Sequence, residues 1–269
     1  MCTIRPNIIV KNTGFSLVEL SIVLVILGLL TGGILAGQSL IRAAQLRSIS
    51  TEYNRYVTAV GTFRDKYFAL PGDMNNATAF WNAADGSTGS TAACFGAAGT
   101  GTQTCNGDGS GTIYPTANSD ESLRFWQHLA RAGLIEGSYT GITPSGASTA
   151  STSLNSPVSK FGNAALWWVW YYGPLTGSSV TFDGTAGNFF LLGATVTNAP
   201  SNSPILKPEE LWNIDTKLDD GKPATGKVAV WANGGLAACT DTSTSSNLAA
   251  SYLLTSSTVG CAAYFRQAF

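Results

Sequence analysis

The chain has 269 residues, with 15 basic and 16 acidic side chains, a formal net charge of −1 and 12% charged residues. This balance argues against a nucleic-acid-binding protein, which normally carries a basic surplus to neutralise phosphates. A single histidine, His128, leaves little scope for histidine-based metal binding or acid–base catalysis.

The amino terminus combines a short positive segment with a long apolar one. Residues 1–14 include Arg5 and Lys11, whereas the 23 residues of 15–37 contain one charge, Glu19. At about 1.5 Å per residue, such a helix crosses a hydrocarbon layer roughly 30 Å thick. The positive residues keep the amino end in the cytoplasm and send the remainder across the membrane. We therefore expect a single membrane-spanning helix.

The acid in this helix belongs to a specific motif. Gly14-Phe15-Ser16-Leu17-Val18-Glu19 opens the apolar run, and an unpaired carboxylate in lipid costs several kcal/mol. The string resembles the class III signal of type IV pilins and type II secretion pseudopilins. The alternative for Glu19 is an interfacial acid whose side chain reaches the headgroups.

The resemblance implies a processing route and an assembly. A prepilin peptidase would cleave after Gly14 and methylate the new amine of Phe15, and Glu19 would pair with that amine in a neighbouring subunit. The implied partners are identical or sibling pilins, the peptidase, and an inner-membrane assembly platform with its ATPase. The chain would lie in the bacterial inner membrane before assembly and in a periplasmic or extracellular filament afterwards.

These implications make the chain a structural subunit of a type IV pilus or pilus-like filament rather than an enzyme, with no cofactor expected. A pseudopilin of type II secretion is the alternative, although the head of about 201 residues beyond the helix (255 − 54, for a mature chain of 269 − 14 = 255) favours a pilus subunit. A membrane-tethered ligand-binding domain is a third possibility.

The helix is predicted to continue past the membrane. Apolar residues recur at steps of three and four and predict an amphipathic helix that ends before Pro71: Leu46, Ile49, Tyr53, Tyr56, Val57, Val60, Phe63 and Tyr67. We divide the chain into a leader (1–14), an apolar helix half (15–37), an amphipathic half (38–70) and a head (71–269).

Glycine pairs spaced by four lie in the apolar half, Gly28/Gly32 and Gly33/Gly37. They either let helices approach closely or reflect the frequency of glycine in membrane helices.

The head is predicted to be α+β, with an antiparallel sheet and short helices packed on the long helix. Helices are expected at 119–132, capped by Asn118, and at 208–218. Strands are expected at Ala165–Tyr172, Ser179–Phe182, Asn188–Val196 and Lys227–Trp231. His128 is expected on the helix surface or partly packed. Trp167, Trp168 and Trp170 are expected to cover the long helix, with a sugar site as the alternative.

The cysteines support export. Cys2 lies in the leader, and Cys94, Cys105, Cys239 and Cys261 allow three pairings of two disulfides. We favour Cys94–Cys105 and Cys239–Cys261, because each pair brackets a polar loop. The second pair also resembles the carboxyl-terminal disulfide loop of many pilins.

The segment after Cys105 is a candidate calcium loop. Asn106, Asp108 and Ser110 place oxygen side chains at alternate positions, as in the opening of an EF-hand. The frame then puts Ala117 where a bidentate acid is required, and Asp120 or Glu121 could substitute only with a different loop geometry. A turn-rich loop without metal is the alternative. The acids of segment 214–223 are expected to form a helix end and a solvated turn.

Overall fold

The computed structural model describes residues 14–86, 89, 94, 97, 103–116, 119–142, 153–162, 164–196 and 199–269. Contacts divide the chain into two compact units, the first ending at Ala44 and the second formed by Gln45–Phe269. Most of the expected leader, together with Ala117 and Asn118, lies outside the described residues.

The long helix α1 runs over Leu17–Tyr67 without interruption. The sequence offers no proline inside it, and Phe68 ends it with a positive φ of 53°. The predicted apolar stripe is confirmed: Ile49, Tyr56, Val60 and Phe63 are buried, and Leu46, Tyr53, Val57 and Tyr67 are partly buried against the core. Residues 45–67 of α1 therefore belong to the compact second unit.

A five-stranded antiparallel sheet forms the centre of the second unit in the described residues. Its strands are β3 (Ala165–Leu175), β4 (Gly184–Val196), β5 (Ala199–Ser203), β6 (Val228–Trp231) and β7 (Ala262–Phe265). The order is β3-β4-β7-β6, and β5 pairs with β4. Two very short strands, β1 (Pro115–Thr116) and β2 (Ser119–Asp120), form a separate antiparallel pair. The α+β class predicted from the sequence is confirmed.

Two short helices complete the unit. Helix α2 covers Glu121–Arg131, and helix α3 covers Pro208–Leu218. The backbone amide of Lys207 donates a hydrogen bond of 2.9 Å to Glu210, which fixes the start of α3 with Pro208 in its first turn. The predicted bounds of α3 are confirmed, whereas α2 begins two residues later than expected because Ser119–Asp120 is strand.

The aromatic residues of β3 are divided between the two faces of the sheet. Successive strand residues point to opposite faces, so the fully buried Trp167 and Trp168 lie in different clusters. Trp167 packs edge-on against Tyr56 of α1, with ring centroids 5.4 Å apart. Trp168 and Trp170 instead join the cluster around Phe189 and Tyr264. The expectation that all three tryptophans cover the long helix is therefore correct for Trp167 alone.

Some predicted elements differ from the structure. Ser179–Phe182 was expected to be a strand, but this segment is a bend that lies beside β6, where Thr181 Oγ1 donates a hydrogen bond of 3.0 Å to the carbonyl of Val230. Strands β5 and β7 were not predicted, because their sequences are short and rich in small or polar residues.

Both disulfides favoured by the sequence are present. Cys94 is bonded to Cys105, with Cα atoms 5.9 Å apart, and Cys239 is bonded to Cys261, with Cα atoms 5.3 Å apart. All four residues are completely buried. The second bond fastens the loop after β6 to the residue that precedes β7.

Candidate functional site

The start of α1 is capped by the acid of the sequence motif. Oε2 of Glu19 accepts a hydrogen bond of 2.8 Å from the backbone amide of Ser16, and Oγ of Ser16 accepts one of 3.3 Å from the amide of Val18. This Ser-x-x-Glu arrangement is that of a capping box, which satisfies free amides at the positive end of a helix. Among the described residues, no basic side chain forms an ion pair with Glu19.

The apolar half of α1 presents a continuous hydrophobic surface. Side chains from Phe15 to Ile41 are exposed, and that of Phe15 is 90% exposed. Within the described residues, α1 is the helix that is long and apolar enough to cross a membrane, and its apolar part is not buried in the protein. An apolar surface of this extent requires lipid or partner helices to cover it.

One comparison with known proteins identifies this segment. Residues 10–35 match the prokaryotic N-terminal methylation motif. The match includes the expected scissile bond between Gly14 and Phe15 and also Glu19. No curated protein and no solved structure is significantly similar to the chain.

The signal and the fold point to the same class of protein. The chain carries the prepilin-type signal that is the hallmark of type IV pilins and pseudopilins. Its long apolar amino-terminal helix is followed by an antiparallel sheet and short helices, as in a pilin-like α+β fold. Together they support a type IV pilin-like or pseudopilin protein, and the apolar helix fits anchoring in the inner membrane before assembly.

His128 lies inside the second unit and is fully buried, so the expected surface or partly packed position is wrong. Its Nδ1 accepts a hydrogen bond of 2.9 Å from the amide of Gly72. Because an amide can only donate, the neutral ring carries its proton on Nε2, which lies 2.9 Å from Thr104 Oγ1. Burial, reinforced by the charge of Arg124, lowers the pKa of His128 to about 3. The ring is a neutral link between two loops.

Three carboxylates from separate segments meet next to this link. Oxygens of Asp73, Asp108 and Glu121 lie within 4.8 Å of one another. Both oxygens of Glu121 accept backbone hydrogen bonds, from Asp108 at 3.1 Å and from Tyr114 at 3.2 Å. Burial raises the pKa of Glu121 to about 8, and the charges of Asp108 and Asp73 act in the same direction. Burial likewise raises the pKa of Asp73.

The residues of the predicted calcium loop have different roles. Asn106 Oδ1 accepts a hydrogen bond of 2.8 Å from the amide of Thr78. The hydroxyl of Ser110 lies 3.0 Å from that of Thr112, and Asp108 belongs to the carboxylate cluster. Asp73 could not be expected here from the sequence, because Pro71 marks only the end of α1. Glu121, expected as a ligand only with a loop geometry other than that of an EF-hand, lies beside Asp108 in the structure.

A second acidic cluster follows α3. Asp215, Asp219 and Asp220 also bring oxygens within 4.8 Å of one another. Asp215 accepts a hydrogen bond of 2.8 Å from the hydroxyl of Tyr252, and burial raises its pKa to about 7. Asp219 accepts hydrogen bonds from the amides of Lys227 and Val228. These contacts organise the turn that leads into β6, so the expected solvated turn is more structured than the sequence indicated.

Proposed function

We propose that the chain is a structural subunit of a type IV pilus or pilus-like filament. In this proposal the peptide bond between Gly14 and Phe15 is hydrolysed, the new amine is methylated, and subunits polymerise through α1. The observation that supports it most directly is the methylation motif at residues 10–35, placed on a helix whose apolar half is not buried in the protein. The subunit would lie in a periplasmic or extracellular filament and have no enzymatic activity of its own.

Glu19 is proposed to direct assembly. Its Oε2 is used by the amide of Ser16, which leaves Oε1 as an acceptor for the positive amine that cleavage creates on a neighbouring subunit. In a low-dielectric helix bundle each charge alone is costly, whereas the two together attract strongly. Pairing between subunits therefore favours the filament over the isolated chain in the membrane. The implied partners are other pilins, the prepilin peptidase and an inner-membrane platform with its ATPase.

The amino terminus provides the test. We expect native protein to begin at Phe15 with one added methyl group, as measured by mass spectrometry, and to be present in sheared filaments. Protein that retains residues 1–14 in cells with active prepilin peptidase would refute the proposal. Glu19→Ala should leave the second unit folded and abolish incorporation into filaments, whereas Glu136→Ala, which changes an exposed acid of the second unit, should have no effect.

The same experiment separates the pilus subunit from a type II secretion pseudopilin. Abundance in sheared surface filaments supports the pilus. A processed subunit that is absent from such filaments, combined with a secretion defect after deletion, supports the pseudopilin. The large second unit, Gln45–Phe269, favours the pilus.

A further inference from the structure

We propose that Asp73, Asp108 and Glu121 form a binding site for a hard divalent cation, Ca²⁺ or Mg²⁺. The three side chains come from the turn after α1, the loop after Cys105 and the first turn of α2. Each offers a carboxylate oxygen within 4.8 Å of the others. Carboxylate oxygens are the ligands that both ions prefer.

One carboxylate oxygen of Asp73 is buried without a hydrogen-bond donor among the described residues, which also points to a cation at this site. Asp73 is 4% exposed, and its Oδ2 accepts a hydrogen bond of 3.0 Å from the amide of Gly111. Its Oδ1 is inaccessible to solvent and accepts no hydrogen bond from any described residue. Both oxygens belong to one carboxylate of the cluster, so the unpaired acceptor lies at the cluster itself. A buried acceptor without a donor is costly, and a cation removes that cost.

The described part of the protein supplies no basic side chain to the cluster. Among the described residues, no lysine, arginine or histidine nitrogen lies within 4.0 Å of these three carboxylates. The buried Glu52 shows the contrast, because three protein groups donate hydrogen bonds to its two oxygens. Asp215 is likewise bonded to Tyr252 and Gly221. The described residues contain two acidic clusters, and an unpaired buried oxygen is found in the one around Asp73.

The backbone holds the three segments together without an ion. The amide of Gly107 donates to the carbonyl of Met74 at 2.8 Å, and that of Gly109 donates to the carbonyl of Asp73 at 2.9 Å. Glu121 accepts from the amide of Asp108. Ligands from distant parts of the sequence are therefore already close, which lowers the entropy cost of binding.

The donor set and the access route also fit a hard cation. Nδ1 of the nearby His128 is occupied by the amide of Gly72, and the sulfur of Cys105 is in a disulfide. The site therefore offers oxygen ligands, which suit Ca²⁺ or Mg²⁺ rather than a thiolate- or imidazole-seeking metal. Asp73, Gly109 and Gly111 line a cleft of about 950 Å³, and Asp108 is exposed to solvent, so an ion can approach the cluster from outside.

Titration of the full chain in detergent micelles tests the site. After treatment with a chelator and its removal, the protein is titrated with CaCl₂ and, separately, with MgCl₂, and binding is followed by calorimetry and by thermal unfolding. We expect saturable binding of at least one ion and a rise of about 5 °C in Tm at a hundredfold excess over Kd. No saturable binding of either ion up to the millimolar range, or an equal rise with KCl at matched ionic strength, would overturn the proposal.

Two variants locate the bound ion. Asp108→Asn removes one charged ligand on an exposed residue while keeping an acceptor for the amide of Ser110, and should weaken binding at least tenfold. Asp220→Asn makes the matched change in the second acidic cluster and should leave Kd unchanged. Glu121→Gln independently removes a second carboxyl group from the proposed site and should also weaken binding. Loss of binding in Asp220→Asn, with native affinity in both other variants, would place the ion elsewhere and refute the assignment.

Discussion

Oε2 of Glu52 on α1 accepts a hydrogen bond of 2.7 Å from the indole Nε1 of Trp167 on β3. The same carboxylate accepts hydrogen bonds from Ser159 Oγ at 2.7 Å and from the amide of Lys160 at 2.8 Å. Glu52 is only 6% exposed. A charged residue on the long helix thus anchors the loop before β3 and the strand itself, and its burial is compensated by three donors.

Removal of this carboxylate is expected to weaken the second unit. Glu52→Ala leaves three buried donors without an acceptor and should lower the free energy of unfolding by about 3 kcal/mol. Glu52→Gln keeps an acceptor oxygen and should cost about half as much. Unfolding of the full chain in detergent, followed by tryptophan fluorescence, measures both.

Glu136→Ala is the control for this prediction. The side chain of Glu136 is 92% exposed and lies 4.0 Å from Arg55. Exposed pairs of this kind contribute about 0.5 kcal/mol or less. An effect of Glu52→Ala as small as that of Glu136→Ala would show that the buried hydrogen bonds do not stabilise the fold.

His128 should make the second unit sensitive to acid. Its pKa is lowered to about 3 in the folded protein, against about 6.5 in the unfolded chain. Below about pH 6.5 the unfolded state therefore binds a proton that the folded state does not, and stability falls as the pH falls. Between about pH 6.5 and pH 4.5 this contribution amounts to about 2.3 kcal/mol, because the unfolded histidine goes from half protonated to fully protonated over this range and one pH unit at full protonation corresponds to 1.36 kcal/mol.

Comparison with His128→Asn isolates the contribution. Asparagine retains an acceptor for the amide of Gly72 but does not titrate. The carboxyls of Glu121 and Asp215 have raised pKa values and so contribute the opposite slope, but they are present in both proteins and largely cancel in the difference. We expect the stability advantage of the native chain to shrink by about 2.3 kcal/mol between the two pH values. A difference that stays constant would mean that His128 does not titrate in the unfolding reaction.

The elements predicted correctly are those encoded by local patterns. The stripe through Ile49, Tyr56 and Phe63 is a direct consequence of helical periodicity, and Pro208 with Glu210 marks the start of α3. The pairing of Cys239 with Cys261 could be anticipated because the bonded residues bracket a polar loop. The amino-terminal motif could be identified from the sequence alone.

The features missed depend on contacts between distant segments. Glu52 falls among polar residues of the amphipathic half, and its side chain is buried through hydrogen bonds with Trp167 and Ser159, more than 100 residues further along the chain. The carboxylate cluster combines Asp73 with Glu121, which are separated by a disulfide loop. Strand β7 is short and exists through its pairing with β4 and β6, which no local pattern reveals.

The two disulfides should contribute unequally. Cys94–Cys105 spans a sequence separation of 11 and Cys239–Cys261 one of 22. Because a longer closed loop restricts the unfolded chain more, loss of the bond should cost about 3 kcal/mol for either pair, with the second costing about 0.6 kcal/mol more than the first. Double serine variants, Cys94→Ser/Cys105→Ser and Cys239→Ser/Cys261→Ser, compared by thermal unfolding, measure the two losses. Native stability in either double variant would contradict the expected role of that bond.

At Gly107 the loop after Cys105 packs directly against the backbone of the turn after α1. A Cβ atom built at Gly107 overlaps the carbonyl oxygen of Gly72 and the backbone of Asp73. Gly107→Ala must therefore push the two segments apart and break the hydrogen bond from Gly107 to Met74. We expect a loss of about 2 kcal/mol or more in the free energy of unfolding.

Gly61→Ala is the control for Gly107→Ala, and we expect it to shift the stability in the opposite direction. Gly61 lies on α1, is exposed, and a Cβ atom there meets no atom within 4 Å. Alanine is favoured over glycine inside a helix by about 1 kcal/mol, so this variant should be more stable than the native chain. Opposite shifts in Tm for the two variants confirm that close backbone approach, rather than glycine content, is what the loop at Gly107 requires. A Gly107→Ala protein as stable as the native chain would show that the two segments tolerate separation.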